Sequence, residues 1–204
     1  MVKIMGVDEA AGMIGDGLSI MVGGFGNVGN PKRLIDAIAD SAVRELTVIA
    51  NDLGTPNQGL GRWVTANKIK KAIGSYFTYN PEVAQKYREG LIELELWPQG
   101  SFAEAIRAGG VGIAAFFTRV GLGTELTAGH ETKTFDGMEY VLAKAIKADY
   151  ALIHAHKADE LGNLVFEKTA RNFNPIMAMA ARTCIAEVEE VVPAGALSPE
   201  EIIV

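Results

Sequence analysis

Gly23, Gly24, Gly26 and Gly29 crowd one short stretch, between the apolar run 18–22 and the dipeptide Asn30-Pro31. The apolar run fits a strand buried on both faces. The glycines let the backbone after it take positive φ and admit a ligand closely. Asn30 can accept a bond from an orphan amide, and proline suits the first position of a helix. A strand, a glycine turn and a helix start in that order aim unpaired N–H groups at an anion or a polarised carbonyl.

Other reactive side chains are sparse. His154 and His156 lie two apart, on one side of a strand, but no suitably spaced third ligand completes a zinc set, so no metal is expected. Cys184 is the only cysteine; no intrachain disulfide can form, and its apolar neighbours read as a buried strand holding an inert thiol. Glu160, at a turn, and Glu167, in a polar stretch, read as solvated charges, and His130 as a surface-loop residue.

Residues 24–29 also spell G-x-G-x-x-G, the dinucleotide fingerprint. Pro31 moves the helix start beyond the third glycine, Asp36 and Asp40 fall inside that helix, and Asp52 lies well past the ~20-residue spacing at which an acidic residue holds a ribose. A nicotinamide-dependent oxidoreductase therefore stands as the weaker alternative. The whole stretch, Asp16-Gly17 followed by the apolar run, Gly23-Gly24-Phe25, Gly29 and Pro31, resembles the signature of the family I coenzyme A transferases. It is similar to the α subunit of the acetate, butyrate and 3-oxoacid enzymes. Asn51-Asp52, Asn80-Pro81-Glu82, Pro98-Gln99-Gly100, 106–110 and 170–174 match further segments in family order.

The resemblance implies transfer of CoA between a short-chain acyl-CoA and a free carboxylic or 3-oxo acid by a heteromer with a β subunit, α2β2; the single cysteine makes a reducing cytoplasm the expected location. It implies a nucleophilic glutamate in a Ser-Glu-Asn-Gly motif of that partner, which this sequence lacks. By the same resemblance Gln99 is the oxyanion-stabilising glutamine, and Asn51 contacts the acyl or CoA group. Residues Gly23, Gly24, Phe25, Gly26, Asn27, Val28 and Gly29 match the CoA-binding segment. No cofactor is bound permanently; CoA and acyl-CoA are substrates. Arg171 could pair with a carboxylate or phosphate, though a structural role is favoured, and Phe116 and Phe117 could line an acyl pocket. A non-catalytic CoA-binding subunit is the second alternative. Arg119 and Val120 stand where relatives carry Pro and Thr, and the sequence stops before a strand into which relatives usually continue.

The elements needed to position these residues follow from periodicity. Residues 7–14 read as a helix with Asp8 and Glu9 in its first turn. Leu34, Ile35, Ile38 and Ala42 form the stripe of an amphipathic helix. Short apolar strands at 46–50, 69–76 and 92–96 alternate with helices, one opened by Asn80-Pro81 and one capped by Ser101. The pattern predicts βαβ units and a mainly parallel sheet, with ligands beyond the carboxyl ends of the strands. The glycine turn, Asn51 and Pro98-Gln99-Gly100 all sit at such ends. Asp136-Gly137 predicts a hairpin within an antiparallel excursion at 111–145, and Asn174-Pro175 a further helix start. The expectation is a single α/β domain spanning 1–204. A net charge of −6 without a basic block argues against nonspecific nucleic-acid binding. Neither a signal peptide nor an apolar run of the ~20 residues that span a bilayer is evident.

Overall fold

Alternate positions of a strand point to opposite faces, and both faces of residues 19–22 are covered. Ile20 and Val22 enter one buried cluster, and Met21 enters the other. The computed structural model describes residues 2–204. The chain runs through α1 (Val7–Ala11), β1 (Ser19–Val22), α2 (Lys32–Asp40), β2 (Leu46–Ile49), α3 (Gly61–Thr65), β3 (Ile69–Gly74), α4 (Pro81–Arg88), β4 (Glu93–Leu96) and α5 (Gln99–Gly110). It continues through β5 (Ala115–Thr118), β6 (Thr132–Phe135), β7 (Met138–Lys144), β8 (Ala148–Asp159), β9 (Leu164–Val165), α6 (Asn174–Met179) and β10 (Ala181–Val192).

The main sheet is seven-stranded, ordered β10-β8-β1-β2-β3-β4, with β9 added antiparallel to β8 and every other pair parallel. One face packs on α1 to α4 through Ile35, Trp63 and Val83; the other packs on α5 and α6 through Phe102, Ile106 and Met177. Trp63 is fully buried and its indole N–H donates to Ile35 O at 2.8 Å, joining α3 to α2. β1 is joined to β8 by Ser19, whose N–H and hydroxyl donate to Asp149 Oδ2 at 3.0 and 2.6 Å. These two bonds hold the Asp149 carboxyl below the usual carboxylate range.

The chain steps from β1 outward to β4 on one side, then returns to place β8 and β10 on the other. The order therefore reverses between β1 and β8, and the ends of those strands open the crevice where α/β sheets bind ligands. A separate three-stranded antiparallel sheet, β5-β7-β6, forms the excursion. Its hairpin turns at Asp136 (φ 51°) and Gly137 (φ 74°), the two left-handed residues that a type I′ turn needs.

Several local expectations are corrected. α1 ends at Ala11, three residues short of the predicted end, in a turn over residues 12–13. α2 stops at Asp40, so Ala39 completes its buried stripe and Ala42 is exposed. β3 ends at Gly74 because the N–H groups of Ser75 and Tyr76 turn onto Asn51 O at 3.2 and 3.0 Å. Ser101 caps nothing: α5 begins at Gln99 after Pro98, leaving the Ser101 hydroxyl inside the helix, buried and without a partner. Cys184 lies on β10, the edge strand, and is exposed rather than in the core. Asn80 does cap α4, accepting from Glu82 N at 3.1 Å.

Candidate active site

The glycine turn after β1 is held from several directions by side chains far away in sequence. Gly24 N donates to Asn172 Oδ1 (3.1 Å), and Asn172 Nδ2 returns a bond to Val28 O (3.0 Å). Asn174 Nδ2 donates to Gly29 O (2.9 Å) and Ala170 O (2.8 Å), while its Oδ1 accepts from His154 N (2.9 Å). These bonds give a role to the segment 170–174, which the sequence marked only as a matching segment. Its asparagines hold the turn, and Arg171 is exposed. They account for the glycines too. A Cβ on Gly23 would lie 1.9 Å from Asn174 Oδ1, and one on Gly29 would lie 2.5 Å from Ala170 O.

Asn30 does not cap α2; its amide donates to Gly23 O at 3.0 Å. The α2 start is closed instead by Glu187 of β10, whose carboxylate accepts from Leu34 N at 3.0 Å. A carboxylate suits the positive end of a helix, so that terminus already holds its anion. The N–H groups of Gly24 and Gly26 are likewise committed to protein oxygens, and the turn is no open anion cradle.

Asn51, Gln99 and the glycine turn do converge. Asn51 follows β2 and is 1% exposed. Its Oδ1 accepts from Gln99 Nε2 (2.7 Å) and Ser75 Oγ (2.8 Å), and its Nδ2 donates to Asp52 Oδ2 (2.9 Å). Gln99 is the exposed member, at the first position of α5. Asn51 thus stands behind Gln99 and aims it. Asp52, which the dinucleotide reading would need free for a ribose, spends its carboxylate on Gly26 N (2.7 Å), Gly54 N (2.9 Å) and Asn51. Asp36 and Asp40 are bound to Arg62, each at 2.6 Å.

A cleft of about 640 Å³ opens on the α2 side of the turn, lined by Asn27, Gly29, Lys32, Gln58, Arg62 and His154. Its size suits a small-molecule site, and it sits at the β1/β8 reversal. His154 and His156 share Glu189: Nε2 of the first is 3.4 Å, and Nδ1 of the second 3.0 Å, from its carboxylate. Among the described residues no group of three or more His, Cys, Asp or Glu could hold a metal. Glu167 bonds Lys168 at 2.7 Å, and Glu160 lies in the turn after β8. Phe116 and Phe117 are half-buried on β5, and Phe117 stacks edge-on against Phe135 at 5.3 Å. No helix among the described residues is long and apolar enough to cross a membrane.

Known proteins are similar to this chain in sequence and in fold. The model of the coenzyme A transferase family matches residues 4–204. The first subunit of a succinyl-CoA:3-ketoacid coenzyme A transferase from Xanthomonas campestris is 53% identical over 192 residues, which cover 94% of this chain and 79% of that protein. The alpha chain of the Escherichia coli acetate CoA-transferase is 42% identical, covering 98% of this chain and 91% of its own length. Among solved structures, glutaconate coenzyme A-transferase from Acidaminococcus fermentans superposes with a TM-score of 0.86 at 18% identity, over 100% of this chain and 72% of that one. The acyl-CoA transferase YdiF of Escherichia coli superposes at 0.83 with 22% identity over 98% of this chain, which spans 44% of the YdiF chain. Both share the fold.

Proposed function

This chain belongs to the coenzyme A transferase family, and from that premise we propose that it is the α half of a heteromeric enzyme, α2β2, exchanging CoA between succinyl-CoA and a 3-oxo acid. A carboxylate is a weak nucleophile and the thioester carbonyl must carry an oxyanion, so covalent catalysis by an enzyme carboxylate divides the reaction into easier steps. In this reading a glutamate of the partner attacks the acyl-CoA carbonyl, forming a mixed anhydride and expelling CoA thiolate. The thiolate then attacks the glutamyl carbonyl, giving a glutamyl-CoA thioester and releasing the acid. The acceptor acid runs the same two steps in reverse, and no net proton is consumed.

The observation that carries the reading is the exposed Gln99 amide, aimed by the buried Asn51. Nε2 has two hydrogens; Asn51 takes one, and the second can meet the developing oxyanion without Gln99 itself ionising. Asn51 reaches the acyl group through Gln99. The carboxylate nearest this pair, Asp52, has its oxygens committed to the chain itself, which agrees with an attacking carboxylate supplied from outside. Residues 23–29 and the adjoining cleft take part of the CoA chain. Phe25, Val28, Tyr76 and Tyr79 are exposed apolar residues on the same rim, a surface fit for coverage by the partner. The relatives named for succinyl-CoA and 3-ketoacids favour that substrate pair, and the acetate enzyme, at lower identity, makes acetate the second acceptor to try.

The test is reconstitution with the β chain and assay over a panel of acyl-CoA donors and acids. Transfer from succinyl-CoA to acetoacetate is expected from the complex and from neither chain by itself. Gln99→Ala should lower kcat by about 100-fold or more, the usual loss of an oxyanion donor. Turnover by the isolated chain, or wild-type rates for Gln99→Ala, would refute the assignment.

A further inference from the structure

We infer that Asp52 is a positioning residue that fixes which atom of the Gln99 amide faces the substrate and which way the glycine turn lies; the inference rests on the role proposed for Gln99. Donor and acceptor chemistry sets the direction. An ionised carboxylate can only accept. Asp52 is 8% exposed, and its Oδ1 accepts from Gly54 N while its Oδ2 accepts from Gly26 N and Asn51 Nδ2. Asn51 must therefore turn its nitrogen to Asp52 and its oxygen away. That oxygen meets Gln99 and Ser75, so Gln99 is obliged to present Nε2 to Asn51, with the Ser75 hydroxyl donating beside it.

The direction of every amide in the chain of contacts is thus set by the one group in it that cannot be reversed. Without a carboxylate at position 52, the Asn51 amide could turn over, and Gln99 would follow by presenting Oε1 to Asn51. The same carboxylate oxygen that orders Asn51 holds Gly26, the left-handed middle of the glycine turn (φ 57°). One atom therefore registers the oxyanion donor against the loop beside the cleft. Family resemblance includes Asp52 in a matched pair but gives a role only to Gln99 and Asn51; the contacts supply the role of the aspartate.

The experiment is a double-mutant cycle in the reconstituted enzyme, with Asp52→Asn, Gln99→Ala and both together. Asparagine keeps the shape but must put an NH₂ where Gly26 and Asn51, or Gly54, now donate. Asp52→Asn is expected to lower kcat at least ~10-fold, a loss that falls below ~3-fold once Gln99 is alanine, and to raise the KM for acyl-CoA through the loosened Gly26 turn in either background. A full multiplicative loss on top of Gln99→Ala would overturn the inference and leave the role of Gln99 standing. Wild-type rates for Gln99→Ala would instead remove the oxyanion role and the inference with it. A second measurement does not depend on the variant assembling. The chain has three glutamines, Gln58, Gln85 and Gln99, so ¹⁵N-glutamine labelling of this chain in the complex resolves the Gln99 side chain. One slowly exchanging Nε2 proton is expected in the wild type; two rapidly exchanging ones would overturn the proposal.

Discussion

Gly23 and Asn174 offer a sharp test of how the glycine turn is built. Asn174 is fully buried, and Asn174→Ala strips partners from His154 N, Gly29 O and Ala170 O. The three lost bonds are part-buried, so each costs toward the low end of the about 1–3 kcal/mol of an unpaired buried group, in all about 3–5 kcal/mol of a total of about 5–15. At about 2–4 °C per kcal/mol for a chain of this size, the melting temperature should fall by about 10 °C. Gly23→Ala arrives at the same injury from the other side. The new Cβ would stand 1.9 Å from Asn174 Oδ1 and must displace the carboxamide, costing a similar few kcal/mol. The φ of Gly23 is not left-handed, so alanine itself fits the backbone there. With Asn174 already alanine, the methyl group has room. The double variant should melt no lower than Asn174→Ala alone, and the smaller unfolded-state entropy of alanine could raise it by about 0.4–1 kcal/mol. Thermal unfolding of the wild type and three variants measures this. If the two losses simply add, Gly23 is required for some other reason and the packing argument fails.

Three further outcomes follow from other contacts. Trp63→Phe should keep a buried ring but remove the indole bond to Ile35 O that joins α3 to α2, lowering stability by about 1–2 kcal/mol in thermal or urea unfolding. Glu187→Ala should free the α2 start and cost about 1 kcal/mol, with faster amide exchange at Leu34 as the local readout. The Asp149 carboxyl has its folded-state pKa lowered by Ser19, so its contribution is present above the unfolded value of about 3.9 and is lost as pH falls through the lower folded value. Asp149→Asn should therefore destabilise at neutral pH, and its melting curve should converge on the wild type's in acid; a pH-independent gap would count against the assignment.

Much of this architecture was legible because strand and helix periods are local. β1, β2 and β4 lie where short apolar runs predict them, and Asp136-Gly137 marks its hairpin through a backbone requirement few other pairs meet. The convergence of residues 23–29, Asn51 and Gln99 followed from one rule, that loops at the same ends of parallel strands meet. Helix caps were the least legible. Asn30, Ser101 and the α2 terminus each carried a plausible local signal, and each was decided elsewhere: by Gly23 O for Asn30, by Pro98 for the α5 start, and by Glu187 for α2. Asp52 was visible as a poor ribose ligand and as half of a matched pair, and its role was not, since nothing in a linear sequence says that Gly26 N and Asn51 will meet on one carboxylate. The asparagines at 172 and 174 were noticed by their company and missed in their role, because which side chain of a matched segment faces inward is a property of packing.

The turn after β1 is tied to Asn172, 148 residues further along the chain. During synthesis, β1 and its glycines leave the ribosome long before the residues that will hold them. A nascent chain can pair β1 with β2 and β2 with β3, and can set Asp52 on Gly26, but Gly24, Val28 and Gly29 lack their Asn172 and Asn174 partners until β8 and α6 have docked. Assembly of the rim around this turn therefore comes late. Any quality control that recognises the finished rim, including the choice of a partner chain, reads out whether the last third of the polypeptide has folded.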